Sequence, residues 1–186
     1  MHVIGLCGRA GAGKSTIVSI VKECFPEMPV VSTGDAARQI LVDRGIEVSH
    51  RNLQEITREI LAARGKDFIS FVFDHIDRNS SVTLVDALRR VEDVDCINRT
   101  YGPPTVMSVF APEDIRFARL IARARPSDAL DRASFKELCS LENEWGIDKL
   151  SRLAQIEVIN VGTYLELRQQ VESKIVNILA SANKTS

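Results

Sequence analysis

A three-layer α/β sandwich around a five-stranded parallel sheet is the fold class that the 186-residue sequence predicts. Two observations carry this. Short β-branched apolar runs alternate with stretches of helical periodicity along the whole chain, the pattern of parallel strands joined by helical crossovers. A glycine-rich turn, Gly8-Arg9-Ala10-Gly11-Ala12-Gly13-Lys14-Ser15, sits between the first such run and the first helical pattern. No internal repeat or low-complexity linker divides the sequence, and its length suits one domain over 1–186 with small insertions.

The elements follow in order. Residues 2–7 (HVIGLC) read as a short buried strand. Residues 15–25 read as a helix with Ile17, Val18, Ile20, Val21 and Cys24 on a broad apolar face, stopped by Pro26 and Pro29. A second strand takes 30–32. A helix opens at Asp35, contains Ile40 and Leu41, and ends at Gly45. Ser49 suits the N-cap of a helix to residue 64, with Leu53, Ile56, Ile60 and Leu61 at helical spacing before Gly65. Residues 67–76 read as a buried helix, with Phe68, Phe71 and Phe73 in the core. A third strand over 81–85 ends at Asp86, and a helix over 91–99 is closed by Gly102 and Pro103. A fourth strand spans 105–110. Pro112 fits the first turn of a helix to residue 124, which Pro126 breaks. Residues 131–145 are helical again, ended by Gly146. The fifth strand spans 156–161, and Thr163 with Glu166 forms a capping box before the last helix. The polar tail from Ser181 is expected to fray.

The formal net charge of −1 gives no general attraction to nucleic acid or to an anionic membrane, so any phosphate recognition has to be local. Cys7, Cys24, Cys96 and Cys139 contain no C-x-x-C pair, which argues against zinc and redox motifs and for reduced thiols in a cytoplasmic setting. Cys7, in an apolar run, suits a small buried hydrophobe. His2, His50 and His75 are scattered without metal spacing. No secretory leader is expected, and no run approaches the roughly 18 apolar residues of a membrane helix.

The glycine-rich turn fits G-x-x-x-x-G-K-[ST] through Gly8, Gly13, Lys14 and Ser15, with a strand before it and a helix after it. Gly8, Gly11 and Gly13 permit torsions that let backbone N–H groups, those of Ala10, Ala12 and Thr16 included in the candidate set, converge on phosphate oxygens. The following helix adds the positive end of its dipole. Lys14 would place its charge between the β- and γ-phosphates of ATP, and Ser15 would offer its hydroxyl to Mg²⁺. An ordinary glycine turn, or a loop that binds nucleotide without transferring phosphate, would carry the same residues. No N-K-x-D guanine motif and no L-S-G-G-Q run is present.

At Ser32-Thr33-Gly34-Asp35-Ala36-Ala37-Arg38 the chain resembles the nucleoside monophosphate kinase family, whose adenylate kinases carry S-T-G-D-x-x-R after the second strand. The resemblance implies that Thr33 and Arg38 hold the acceptor's base edge and phosphate. It implies that Asp35 faces the transfer zone and helps order Mg²⁺. Asp35 equally suits a plain helix N-cap. Asp86 looks like the family's second carboxylate, which holds Mg²⁺ through water. Family members commonly read D-G there and then an arginine that grips the acceptor phosphate. Here Asp86-Ala87-Leu88-Arg89-Arg90 puts alanine for the glycine and offers Arg89 or Arg90 for the arginine. Glu92-Asp93-Val94 stands where adenylate kinases place an adenine-reading Gln.

The broken helical stretch over 112–146 is expected to form a lid, with 35–80 as acceptor-binding helices. It carries Arg116, Arg119, Arg123, Arg125 and Arg132, and Arg116, Arg119 and Arg123 share one helix face. In the kinase reading Arg119 and Arg123 close over the transferring phosphoryl and offset its charge, while a solvated basic face is the other reading of each. Ile159-Asn160-Val161-Gly162-Thr163 resembles the I-x-N-x-G-[ST] turn of dephospho-CoA kinases and a related archaeal adenylate kinase-like group. That resemblance implies that Asn160, Gly162 and Thr163 border the ATP adenine. Glu144-Trp145-Gly146-Ile147 resembles the archaeal group's E-x-x-G-I, whereas Leu138 and Cys139 replace its usual Arg-Asp pair. Trp145 suits a stacking surface or a packing anchor.

The expected activity is ATP- and Mg²⁺-dependent phosphoryl transfer to a small phosphorylated acceptor, first of all a nucleoside monophosphate. Lys14 and Asp35 head the catalytic candidates. Two alternatives stand beside it. One is dephospho-CoA kinase, with a hydroxyl acceptor and Asp35 as base. The other is a nucleotide-binding regulatory protein with slow ATP hydrolysis, suggested by Ala87 and Leu138-Cys139. The partner is a small molecule, with neither nucleic acid nor membrane expected.

Overall fold

A computed structural model describes residues 1–64, 69, 80–124 and 131–182. Its strands β1 (His2–Gly8), β2 (Val30–Ser32), β3 (Val82–Leu88), β4 (Thr105–Phe110) and β5 (Ile156–Ile159) form one sheet in the order β2-β3-β1-β4-β5. Every pairing is parallel. The chain leaves β1 toward β3 and β2 on one side and toward β4 and β5 on the other. The carboxyl end of β1 is therefore the switch point where parallel α/β sheets open a crevice.

Helices cover both faces, as a parallel sheet requires. Ile4 and Leu6 of β1 point to one side, where Ile17, Ile20 and Val21 of α1 (Lys14–Cys24) meet Leu167, Val171, Ile175 and Ile178 of the last helix, α8 (Tyr164–Ala182). Each such side chain contributes about 1.5–3 kcal/mol on full burial. Val3 and Cys7 point to the other side, against Cys96 and Ile97 of α4 (Val91–Tyr101) and Leu150 of the short α7 (Ile147–Arg152). Two smaller cores lie at the carboxyl end. Ala37 and Leu41 of α2 (Thr33–Asp43) pack on Ile56 and Ile60 of α3 (His50–Arg64). Leu120 of α5 (Glu113–Arg123) packs on Phe135 of α6 (Arg132–Trp145), together with Ala10, Phe117, Leu138 and Cys139.

Several boundaries differ from the sequence expectation, each for a local reason. β3 does not end at Asp86. It runs on to Leu88 through a register shift, because Gly5 pairs with Val85 but Cys7 pairs with Leu88. One extra residue in β3 lets Val85 and Leu88, three apart, share one core. α2 starts at Thr33, and its N-cap is Ser32, whose hydroxyl accepts the Asp35 N–H at 3.2 Å. Asp35 is therefore not the cap. β5 stops at Ile159, and α7 was not foreseen. The Ser49 cap, the Gly146 stop and the Thr163–Glu166 box all form, and Asp131 caps α6. All four cysteines are free thiols, Cys7 fully buried.

At the outer strand β5, the Gln170 side chain accepts the Ile159 N–H at 3.3 Å and donates to the Ile159 carbonyl at 3.0 Å. Among the described residues no helix is long and apolar enough to cross a membrane. The helix expected over 67–76, with Phe68, Phe71, Phe73 and His75, lies outside the described residues, as do Arg125, Pro126 and the tail beyond residue 182. Ile69 is described, buried against the β1–β3 core.

Candidate active site

The glycine-rich turn leaves β1 at the switch point and enters α1 directly. α1 has Gly13 at its N-cap, with no side-chain cap. Gly8, Gly11 and Gly13 all hold positive φ with no room for a Cβ. Gly11 has φ 77°, and a Cβ there would stand 2.5 Å from the Arg116 carbonyl oxygen. Gly13 has φ 109° and lies against the Asn160 amide. Ser15 is exposed at the start of α1, and Thr16 follows with its N–H on the Gly13 carbonyl.

Lys14 folds back over the turn, donating to the carbonyls of Gly8 at 2.6 Å and Arg9 at 3.2 Å. Burial pushes its ammonium below the ordinary lysine value. The Asp86 and Glu142 carboxylates pull the other way, and Arg89 adds to the lowering. Asp86 reaches this place because β2 pairs Ser32 with Asp86 in register, which also sets the start of α2 beside it.

Arg89 follows the end of β3, with an exposed surface but dense protein around its charged end. Enclosure lowers its pKa against the attraction of Glu142, Asp93 and Asp86, and Arg38 repels it. Its guanidinium sits 4.6 Å from the Trp145 ring centroid. Lys14, Asp86, Arg89 and Glu142 thus lie within electrostatic reach of one another, and Arg38 of α2 also acts on Arg89. Asp35 and Arg38 pair with each other across one turn of α2, both largely exposed, while Thr33 is buried in that first turn.

Arg90 takes a different direction from its neighbour. Its Nη2 lies 3.6 Å from Asp93, whose buried carboxylate also accepts the N–H groups of Arg89 and Arg90 at 3.0 Å. Of the two sequence candidates, Arg90 is held to Asp93 while Arg89 lies over the Trp145 ring. Through Oδ2 alone, Asp93 fixes the backbone that carries Arg89.

The arginines of α5 are spread along the outside of the turn. Arg116 is buried, donates to the Ala10 carbonyl at 3.2 Å and lies 5.2 Å from the Phe135 ring centroid. Arg119 contacts the Ala12 carbonyl at 3.5 Å and both oxygens of Asn160 at 3.2 Å. Asn160 is buried and donates to the Ala12 carbonyl at 2.8 Å. Asn160 and Arg119 therefore brace the turn at the end where Gly162 and Thr163 follow. Arg123 lies exposed in the last turn of α5.

Sequence reasoning passed over two contributors. Glu142 of α6 accepts the Ala10 N–H at 2.6 Å and is buried. Arg9 binds Asp148 at 2.7 Å, Asn143, and the Cys139 carbonyl at 3.4 Å, which fastens α6 and α7 to the turn. Nothing local marks Glu142, because it stands 132 positions from its partner.

In fold, the chain is similar to solved structures that include a shikimate kinase and a gluconokinase. The chain aligns with the structure of TT1252 from Thermus thermophilus at a TM-score of 0.67 and 17% identity, over 96% of this chain and 97% of that one. It aligns with shikimate kinase from Acinetobacter baumannii in complex with shikimate at a TM-score of 0.61 and 15% identity, over 97% and 94%. In sequence, the chain has archaeal UPF0200 homologues. It is 27% identical over 183 residues to a UPF0200/UPF0201 protein of Archaeoglobus fulgidus, covering 96% of this chain but 56% of that protein. It is 26% identical over 184 residues to a UPF0200 protein of Methanosarcina acetivorans, covering 97% of each. No family model matches the chain.

Proposed function

We propose that the protein is an ATP- and Mg²⁺-dependent phosphotransferase acting on a small anionic acceptor, in first place a nucleoside monophosphate. One observation carries the reading: Lys14 at the start of α1 and Arg89 just after β3 both lie within electrostatic reach of the same two carboxylates, Asp86 and Glu142. Lys14 suits the donor phosphates and Arg89, with Arg38, the acceptor phosphate. The donor side fits a triphosphate, since the turn needs glycine where a Cβ would clash and its helix starts without a side-chain cap. Ser15 and Asp86 would hold Mg²⁺, which supplies charge neutralisation when bound. Gly162, Thr163 and the Asn160–Arg119 brace would border the base. Thr33 would meet the acceptor, and Arg123 with residues 112–146 would cover the site.

A second reading is transfer to a hydroxyl, as in a dephospho-CoA kinase. The shikimate kinase likeness and the 74% exposed Asp35 carboxylate favour it, since that carboxylate could take the hydroxyl proton.

The test is ADP release from ATP·Mg²⁺ with each ribo- and deoxynucleoside monophosphate and dephospho-CoA. Transfer to a monophosphate, lost in Lys14→Ala with the fold retained, is expected. Turnover on dephospho-CoA alone, abolished by Asp35→Asn, favours the second reading. Tight ATP binding with no acceptor-dependent ADP release marks a nucleotide-binding regulator. Unchanged transfer by Lys14→Ala sinks the site.

A further inference from the structure

An anion-binding turn is a poor place for a carboxylate, yet Glu142 is packed against this one. Oε1 accepts the Ala10 N–H at 2.6 Å, and Oε2 lies 3.7 Å from Arg9. The residue is 5% exposed, and Oε2 is buried without a hydrogen-bond donor. A buried carboxylate oxygen with no donor is costly unless positive charge surrounds it. Here Arg9 is beside it, and its charge also reaches Lys14 and Arg89. The Lys14 ammonium rests on the carbonyls of Gly8 and Arg9, the two residues just before Ala10, so carboxylate and ammonium adjoin the same short stretch of backbone. Arg9 is further bound to Asp148 and Asn143, which keeps Glu142 seated.

We propose that Glu142 is a specificity-determining counter-charge of the donor site, balancing its cations when no nucleotide is bound and setting how the turn discriminates between nucleotides of different charge. This rests on the reading of the turn as the nucleotide site. A triphosphate brings its terminal phosphate to Lys14 and so into repulsion with the Glu142 carboxylate. A diphosphate brings less negative charge to that place. Glu142 therefore holds ATP affinity down more than ADP affinity and narrows the gap between them. Asp148 is the control carboxylate: it also pairs with Arg9, at 2.7 Å, but its side chain is largely exposed.

The experiment is calorimetric titration of the full chain with ATP·Mg²⁺ and ADP·Mg²⁺, at low and high salt, for wild type, Glu142→Gln and Asp148→Asn, with a thermal melt of each. Glu142→Gln keeps an acceptor for the Ala10 N–H and removes the charge. It is expected to tighten ATP by about tenfold, the scale of one short-range charge repulsion, and ADP by clearly less. The excess should shrink in high salt. Asp148→Asn is expected to leave the ATP-to-ADP ratio where it is. If Glu142→Gln does not fold, Glu142→Asp, which withdraws the charge by one methylene, should move the ratio the same way by less. A Glu142→Gln protein that binds ATP no tighter than wild type overturns the proposal, as does an equal shift in Asp148→Asn. A wild type and Glu142→Gln that both fail to bind ATP overturn the donor-site reading itself, and this one with it.

Discussion

Adjacent arginines with opposite assignments give the sharpest test at the scale of single residues. Arg89 lies over the Trp145 ring, and Arg90 turns onto buried Asp93. Loss of a charge-assisted contact is worth about 1.5–3 kcal/mol, so Arg89→Ala should raise the acceptor KM by about ten- to hundredfold with little change in the ATP KM. Arg90→Ala should leave the acceptor KM alone and lower stability by about 1–3 kcal/mol through the under-compensated Asp93. Steady-state kinetics and denaturant melts on the pair separate the two, and equal KM effects would remove Arg89 from the acceptor site. The sequence offered both arginines, because adjacency in the chain does not say which one the following helix start turns away. Ser32 and Asp35 pose the same difficulty: both residue types can cap a helix, and only the backbone assigns the role to Ser32.

Among the elements, α5 and α6 are held to the turn by a small core around Phe135 and Leu120, with Phe117 at 5.2 Å between ring centroids. Phe135 is fully buried and also lies under the Arg116 guanidinium. Phe135→Ala should cost about 3–5 kcal/mol, read in a urea melt. Because Arg116 and Glu142 both bond Ala10, the same variant should also weaken nucleotide binding. Full ATP affinity in that variant would show that the turn holds its shape without these helices. The strands and most helices were legible because apolar period and capping residues are local signals. The bulge in β3 was not, since Asp86-Ala87 reads as a strand end and only pairing with β1 reveals the extra residue. α7 was missed for a related reason: its six residues are too few to show a period.

For the molecule as a whole, a ligand that binds only the folded chain stabilises it by mass action. At ATP·Mg²⁺ about a hundredfold above Kd the gain is about 2.7 kcal/mol, which for a chain of this size raises Tm by about 5–10 °C. Wild type should show that shift in a thermal scan, and Lys14→Ala should show little of it. A shift of equal size in both would place the nucleotide elsewhere. The parallel sheet and the phosphate-binding turn could be read from the chain because strand, turn and helix are contiguous there. Glu142 could not, nor could the partner of Trp145, because the contacts of their helix with the turn and with Arg89 exist only after folding.

Gln170 does the work of a strand that the sheet lacks. By engaging both polar groups of Ile159, its amide presents to β5 the donor and acceptor that a neighbouring backbone would supply. The rim is thus occupied at the point where a stray peptide would otherwise begin to zip on. Crowding this protein should not prompt fibril-like stacking from that border, even though the apolar Ile159 and Phe110 side chains lie open beside it.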